Sequence, residues 1–85
     1  MTTKIEIYRT LNGRKCNNVR DFLANKNIEF TDHLIDLMPL EKNEMIRRSG
    51  LKYYPQIFIN DAYIGGEDEL LMLEYEGKLD KLLGL

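Results

Sequence analysis

The 85 residues of this chain are enough for one domain and leave no length for a second. A hydrophobic content of 44% is ample for a core, and 31% charged residues are typical of a soluble surface. The formal net charge of −2 disfavours nucleic acid as a partner, because phosphate binding needs concentrated basic residues. We therefore predict a single domain, residues 1–85, with no nucleic-acid partner.

The chain begins with Met-Thr-Thr-Lys and passes directly into an alternating strand pattern, without an apolar leader. No segment approaches the ~20 apolar residues that a bilayer span needs. A single cysteine cannot form an internal disulfide. We expect a cytoplasmic protein that does not associate with membranes, and no feature demands more than a monomer.

The first half of the chain predicts a strand, a helix and a second strand. Residues 5–8 indicate a short strand with at least one well-buried face, and a turn signal follows at residues 12–13. Over residues 14–26, apolar side chains recur at spacings of three and four and form one stripe of a helix: Cys16, Val19, Phe22 and Leu23. A second strand is predicted over residues 28–35.

The second half opens with a helix and a hairpin. Pro39 precedes a helix that is predicted over residues 40–48, where a Ser-Gly pair ends it. Residues 57–59 are apolar and predict a strand. A hairpin turn signal at residues 60–61 then leads into a strand over residues 62–64.

A third helix is predicted after the glycine pair at residues 65–66. Its first turn carries carboxylates at residues 67–69, where the positive end of the helix dipole favours them. Leucines within residues 79–83 suggest a short final helix. The order β-α-β-α-β-β-α implies a parallel crossover followed by an antiparallel hairpin. We therefore predict an α/β fold of thioredoxin-like arrangement, a four-stranded mixed sheet with helices on both faces.

The loop after the first strand and two later motifs resemble the glutaredoxin family. That family typically carries Tyr-x-x-Pro-Gly-Cys-Pro-Tyr-Cys here, and an ungapped match aligns Tyr8 with the tyrosine, Gly13 with the first cysteine and Cys16 with the second. The resemblance implies a glutathione-dependent thiol-disulfide oxidoreductase, whose first cysteine lies at the helix N-terminus and attacks disulfides as a thiolate. Because Gly13 has no side chain, this Gly-Arg-Lys-Cys active site is degenerate and predicts weak or absent activity.

Cys16 is the candidate catalytic residue that remains. Its spacing from Val19 places it about one turn inside the helix on the apolar stripe, as expected for a small packed hydrophobe. Alternatively, a short loop insertion would make Cys16 the first, reactive cysteine of an active monothiol glutathione-disulfide oxidoreductase. Both a structural and a catalytic role for Cys16 stay open.

The resemblance also implies a groove for glutathione, and one wall of it precedes the third strand. Tyr53-Tyr54-Pro55 stands where the family has Thr-Val-Pro, with the proline cis. The backbone of Tyr54 would pair with the cysteinyl part of glutathione in the manner of an added strand, and a cis Pro55 would expose that edge. Main-chain pairing tolerates tyrosine at this position.

A Gly-Gly-x-Asp motif of the family is matched by residues 65–68 and implies the other wall. The helix N-terminus at Gly66 and Glu67 would bind a carboxylate, and Asp68 would pair with the γ-glutamyl ammonium. Lys15, which stands where the family has a tyrosine, or Lys52 would meet the glycyl carboxylate. Other family features are missing: for example, Thr10 stands where the family often has a lysine.

The resemblance implies glutathione as co-substrate or ligand, and a protein thiol or disulfide as a possible partner. We expect no metal, because one cysteine and one histidine cannot supply zinc's ligands, and cluster-binding family members use the cysteine that Gly13 replaces. His33, on the second strand without a partner at metal or base spacing, is expected to be structural or exposed. The competing functions are a binding module without turnover and an inactive protein.

Overall fold

The structure, a computed structural model, describes residues 3–85. Its strands are β1 (Ile5–Arg9), β2 (Thr31–Leu34), β3 (Gln56–Ile59) and β4 (Ala62–Gly65). Its helices are α1 (Arg14–Asn25), α2 (Pro39–Ser49), α3 (Glu67–Tyr75) and α4 (Leu79–Leu82). The order of elements is the predicted one. Across residues 3–85, none of these helices combines the length and hydropathy that a transmembrane span requires.

The strands form one four-stranded mixed sheet in the order β2-β1-β3-β4. β1 runs parallel to β2 and antiparallel to β3, and β3 runs antiparallel to β4. β1 is a central strand, and every residue in it is buried. This topology confirms the predicted α/β, thioredoxin-like arrangement.

An apolar cluster on each face of the sheet holds the helices in place. Side chains of alternating strand positions reach opposite faces, so Ile5 and Ile7 of β1 serve one cluster and Tyr8 the other. The cluster against α1, α3 and α4 contains Ile5, Ile7, Val19, Leu23, Ile57, Ile59, Leu70, Leu79 and Leu83. The cluster against α2 contains Tyr8, Ile35, Met45 and Phe58. Helices therefore cover both faces.

β2 is shorter than the strand that was predicted over residues 28–35, so those boundaries were wrong. Its parallel register starts at the pair Glu6–Thr31, and β1 itself starts at Ile5, which leaves residues 28–30 almost no partner strand. Ile28 and Phe30 instead pack against the core from the connecting segment. The apolar residues at positions 28 and 30 therefore indicate contact with the core, and not pairing with a neighbouring strand.

Segments that are distant in the chain meet beyond one end of the sheet. β1 ends there and leads into the loop before α1. The antiparallel pair Tyr8–Gln56 places Pro55 next to that end. The pair Ile57–Gly65 then brings the start of α3 alongside. Strand register therefore assembles the site from three separate parts of the sequence.

Candidate functional site

A groove of about 310 Å³ lies where α1, the loop before β3 and α3 come together. We call it the Pro55 groove, and it is lined by Lys15, Tyr53, Tyr54, Pro55, Tyr63, Gly66, Glu67 and Asp68. The residues that the sequence predicted to contact glutathione thus surround a single cavity. Tyr53 belongs to the matched Tyr53-Tyr54-Pro55 segment but was given no role, and Tyr63 was missed because only the register of β4 carries it to this wall.

The loop before β3 is held against the sheet by Gln56. Its amide nitrogen donates to the backbone carbonyls of Leu51 at 3.1 Å and of Tyr53 at 2.8 Å, and the side chain is fully buried. The Tyr54–Pro55 peptide bond is cis. Pro55 is buried while Tyr54 is 47% exposed, so Tyr54 borders the groove on a fixed loop.

The start of α3 forms a second wall of the groove. The Gly66 N–H donates to the Glu69 carboxylate at 2.7 Å, which satisfies the backbone at the head of the helix. A Cβ on Gly66 would lie 3.0 Å from the Pro55 carbonyl oxygen, so glycine allows the two backbones this close approach. The N–H groups of Glu67 and Asp68 have no partner within the helix, and a helix end of this kind favours an anionic group.

Charges of opposite sign reach the groove from different helices. Lys15 brings an ammonium from α1, whereas Glu67 and Asp68 bring carboxylates from α3. Burial, with a contribution from the charge of Glu69, raises the pKa of Tyr63, so its hydroxyl stays protonated and able to donate. A ligand that carries both a carboxylate and an ammonium would find complementary groups on separate walls.

Cys16 lies in the first turn of α1 and does not line the Pro55 groove. Its exposed fraction is 1%, and its sulfur accepts a hydrogen bond from the Thr10 hydroxyl at 3.8 Å. Gly13 is the N-cap of α1, and its carbonyl accepts the first helical hydrogen bond from Asn17 at 2.9 Å. The head of this helix therefore presents no thiol to the groove.

The space beside Gly13 is already filled by Thr10. A Cβ at position 13 would lie 2.7 Å from the Thr10 hydroxyl oxygen and 3.0 Å from the Cys16 sulfur. The first of these distances is shorter than any ordinary contact, so a side chain at position 13 requires Thr10 to move. The sequence identified Thr10 only as a missing lysine, because its contact with Cys16 depends on how the loop folds back.

A polar cluster, here called the Glu6 cluster, lies on the α2 face of the sheet. His33 was expected to be structural or exposed, and it has two partners that sequence spacing did not indicate: its Nε2 is 3.1 Å from Glu6 and its Nδ1 is 3.1 Å from Glu41. Its ring also stacks on Tyr8 with centroids 4.3 Å apart. Arg48 donates to both oxygens of Glu6, at 3.0 and 2.9 Å, and to the Tyr8 hydroxyl at 2.8 Å. His33 is thus a structural residue tied into a network.

The Glu6 cluster shifts the titration of its members. Burial raises the pKa of Glu6, but hydrogen bonds from Arg48 and His33 outweigh it, so the pKa is lowered overall. The same ion pair raises the pKa of Arg48 above its ordinary value. Across residues 3–85, no set of three or more His, Cys, Asp or Glu side chains converges on a metal position. Gly13 and buried Cys16 likewise offer no exposed thiolate that would fit an iron–sulfur cluster.

The sheet, the loop before β3 and the head of α3 define a thioredoxin-like protein with a groove at one end of the sheet. The Glutaredoxin family model matches residues 5–64 of the chain. Glutaredoxin 3 of Escherichia coli strain K12 is 39% identical over 79 residues, which cover 93% of this chain and 95% of that protein. These matches show that the chain belongs to the glutaredoxin family.

Solved structures agree with this assignment. Glutaredoxin from Brucella melitensis is 40% identical, with a TM-score of 0.79 over 94% of this chain and 87% of that one. A complex of buckwheat glutaredoxin with glutathione has a TM-score of 0.86 over 96% of this chain and 77% of that one, and its 18% identity supports the fold alone. The family uses glutathione as a substrate. In this chain Cys16 is the only cysteine, and Gly13 replaces the family's first active-site cysteine.

Proposed function

We propose that this protein binds glutathione in the Pro55 groove and catalyses thiol-disulfide exchange weakly or not at all. One observation carries the proposal: the groove keeps its lining residues, while the only thiol, Cys16, is 1% exposed and lies outside it. A protein thiol or disulfide, presented as a mixed disulfide with glutathione, is the partner that this site would receive in the cytoplasm.

The groove offers a place for each part of glutathione. The head of α3, at Gly66 and Glu67, provides backbone N–H groups for a carboxylate. Asp68 provides a charge partner for the γ-glutamyl ammonium, and Lys15 one for the glycyl carboxylate. The backbone of Tyr54 provides main-chain hydrogen bonds for the cysteinyl unit between them.

Exchange requires a thiolate that attacks one sulfur of a disulfide, forms a mixed disulfide and releases the other sulfur as a thiol. Gly13 supplies no sulfur at the position where the family's attack begins. Cys16 is the alternative nucleophile, but its sulfur is buried and engaged by the Thr10 hydroxyl. Turnover through Cys16 therefore requires α1 to open at its first turn, which supports slow exchange or none.

Binding and turnover are tested separately on the same protein. Titration with reduced glutathione, followed by NMR, is expected to shift the amide signals of Tyr54, Gly66 and Asp68. Asp68→Asn is expected to weaken binding about 10- to 100-fold, since it removes a charged partner worth about 1.5–3 kcal/mol. Asp21→Asn, on the exposed side of α1, is the matched control and should bind as the parent does.

Turnover is measured as glutathione-dependent reduction of a small disulfide, coupled to glutathione reductase. We expect the protein and its Cys16→Ser variant to give the same rate as the uncatalysed reaction. A rate that disappears in Cys16→Ser would instead establish an active monothiol enzyme. Absence of any glutathione-induced shift at the groove would overturn the binding proposal.

A further inference from the structure

A second groove, apolar in character, continues from the Pro55 groove along α3. This α3 groove has a volume of about 460 Å³ and is lined by Tyr63, Ile64, Asp68, Glu69, Met72, Leu73 and Leu82. Tyr63 and Asp68 line both grooves, so a ligand that leaves the Pro55 groove at this wall passes directly onto the apolar surface. The volume is in the range of about 300–1,000 Å³ that is typical of ligand sites.

The surface next to the α3 groove extends its apolar character. Met72 is 58% exposed, Leu71 is 45% exposed and Tyr75 is 90% exposed, and together with Asp68 they line a shallow depression beside the groove. Single exposed apolar residues are ordinary, but a contiguous patch next to a ligand groove is typical of an interaction surface. Met and Tyr side chains also adapt well to a partner's shape.

The segment that supplies every lining residue of the α3 groove except Leu82 carries only acidic charge. From Tyr53 to Gly77 the sequence contains no lysine, arginine or histidine, and its acidic residues there are Asp61, Glu67, Asp68, Glu69, Glu74 and Glu76. Lys26 of α1 pairs with Glu74 at 2.8 Å, and Lys78 lies 3.9 Å from Glu76. Glu69, on the wall of the α3 groove but not of the Pro55 groove, forms no ion pair with any side chain of residues 3–85. A partner with lysine or arginine beside its apolar side chains would complement Glu69.

We propose that the α3 groove binds the polypeptide part of a glutathionylated protein, through a segment that combines apolar side chains with lysine or arginine. The inference rests on the proposed function, because the glutathione unit of the same partner occupies the Pro55 groove. The glutathione unit positions the segment at Tyr63 and Asp68, and the apolar side chains then contact Met72 and Leu82. Charge selects basic segments over acidic ones.

The probe is a fluorescein-labelled peptide Arg-Leu-Cys-Leu-Arg, whose cysteine carries glutathione in a disulfide, together with the same peptide bearing Glu for Arg. Binding is followed by fluorescence anisotropy at low and high salt. We expect the Arg peptide to bind about tenfold more tightly than the Glu peptide at low salt. The difference in affinity between the two peptides should decrease at high salt, because salt screens the charges. Met72→Ser should weaken the Arg peptide about tenfold, equivalent to about 1.4 kcal/mol.

Leu37→Ser is the matched control, because Leu37 is 61% exposed, close to the 58% of Met72, but lies outside both grooves. It should bind both peptides as the parent does. Equal affinity for the Arg and Glu peptides, or equal effects of Met72→Ser and Leu37→Ser, would overturn the inference.

Two further measurements separate this inference from its alternatives. If reduced glutathione shifts the signals of the Pro55 groove but the peptides are not distinguished, the inference fails and the proposed function stands. If glutathione does not bind, both fail. Sedimentation is measured in parallel, and a concentration-dependent dimer that Met72→Ser abolishes would assign the α3 groove to a second copy of the chain and overturn the proposal.

Discussion

At Gly13, the space that a side chain would need is occupied by neighbouring residues. The Thr10 hydroxyl lies 2.7 Å from where a Cβ at position 13 would be and donates to the Cys16 sulfur. Thr10 and Cys16 thus share the space beside the glycine. Replacing Gly13 alone therefore acts on two residues, since Thr10 must rotate and give up its hydrogen bond.

We predict that Gly13→Cys creates exchange activity and that Thr10→Ala added to it raises that activity further. The Cβ at position 13 would lie 3.0 Å from the Cys16 sulfur. In a disulfide, the Cβ of one cysteine lies at a similar distance, roughly 3 Å, from the sulfur of the other cysteine. The introduced thiol should therefore form a disulfide with Cys16, which thiol titration and the glutathione-reductase assay would detect.

Gly13→Ala is the steric control for this prediction. It should lower the free energy of unfolding by about 1 kcal/mol, because the new methyl group displaces the Thr10 hydroxyl and breaks its hydrogen bond; Thr10→Ala removes the displaced hydroxyl and should recover only the steric part of that loss. A Gly13→Ala variant as stable as the parent, with the Thr10–Cys16 contact intact, would show that position 13 is not sterically filled.

Glu6 is a buried carboxylate that is paired with Arg48 and lies within hydrogen-bond distance of His33. We predict that Glu6→Gln lowers the free energy of unfolding at neutral pH by about 2–3 kcal/mol, because it leaves Arg48 without its carboxylate. Folding lowers the pKa of Glu6. Its contribution to the free energy of unfolding is therefore complete at pH values above the pKa that Glu6 has in the unfolded chain, and it is lost as the pH falls through the lower pKa of the folded protein.

Denaturant unfolding of the parent and Glu6→Gln as a function of pH measures this contribution. The difference in free energy of unfolding between the parent and Glu6→Gln should be constant near neutral pH. It should decrease as the pH falls below the ordinary glutamate pKa of about 4.3. Glu29→Gln, at an exposed position, should leave stability unchanged throughout. A gap that is independent of pH down to full protonation would contradict the assignment.

Among the elements, the β3–β4 hairpin depends on left-handed backbone at both turn residues. Asn60 has φ of 50° and Asp61 has φ of 68°, the pattern of a tight two-residue hairpin turn. Asn60 also exchanges hydrogen bonds with the backbone of Lys4, its Oδ1 accepting from the Lys4 N–H at 2.9 Å and its own N–H donating to the Lys4 carbonyl at 2.8 Å. The turn therefore also fixes the start of β1.

We predict that Asn60→Ala lowers the free energy of unfolding by about 1–2 kcal/mol, since alanine loses the bond to Lys4 and tolerates positive φ poorly. Asp61→Gly should be neutral or slightly stabilising, because glycine relieves the strain and the exposed Lys4 ion pair contributes little. Urea unfolding at unchanged m-value measures both. Equal destabilisation by the two variants would contradict this account of the turn.

The elements were mostly predictable because their signals are local. Apolar spacing placed α1, the Asn-Asp pair placed the hairpin, and the carboxylates after Gly66 placed the start of α3. The start of β2 was wrong because strand limits depend on the partner, and β1 offers no residues opposite 28–29. The partners of His33 could not be predicted either, since Glu6 reaches it only through the β1–β2 pairing and Glu41 only once α2 packs on the sheet.

For the whole molecule, the Pro55 groove exists only when the sheet is formed. Its walls come from α1, the loop before β3 and α3, so unfolding destroys the site completely. The sequence predicted its residues through motif resemblance, and the burial of Cys16 was one of two open alternatives. What decided between them was packing against the sheet and Thr10, which no local pattern encodes.

We predict that glutathione raises the unfolding temperature of the whole domain. At a free concentration about ten times Kd, binding to the folded state alone adds about 1.4 kcal/mol, or about 5–10 °C for a domain of this size. Differential scanning calorimetry would show a shift that grows with the logarithm of concentration. Asp68→Asn should shift less than Asp21→Asn, and a parent without any shift would contradict the binding proposal.

The burial of Cys16 also allows its thiol to report local opening of α1. A single thiol, 1% exposed, can react with a maleimide only when the first turn of α1 separates from the sheet. The labelling rate would then measure how often the first turn of α1 opens in the absence of denaturant, without any engineered probe. Because Cys16 is the only cysteine of the chain, no second, exposed thiol would react first and mask this measurement of native fluctuations.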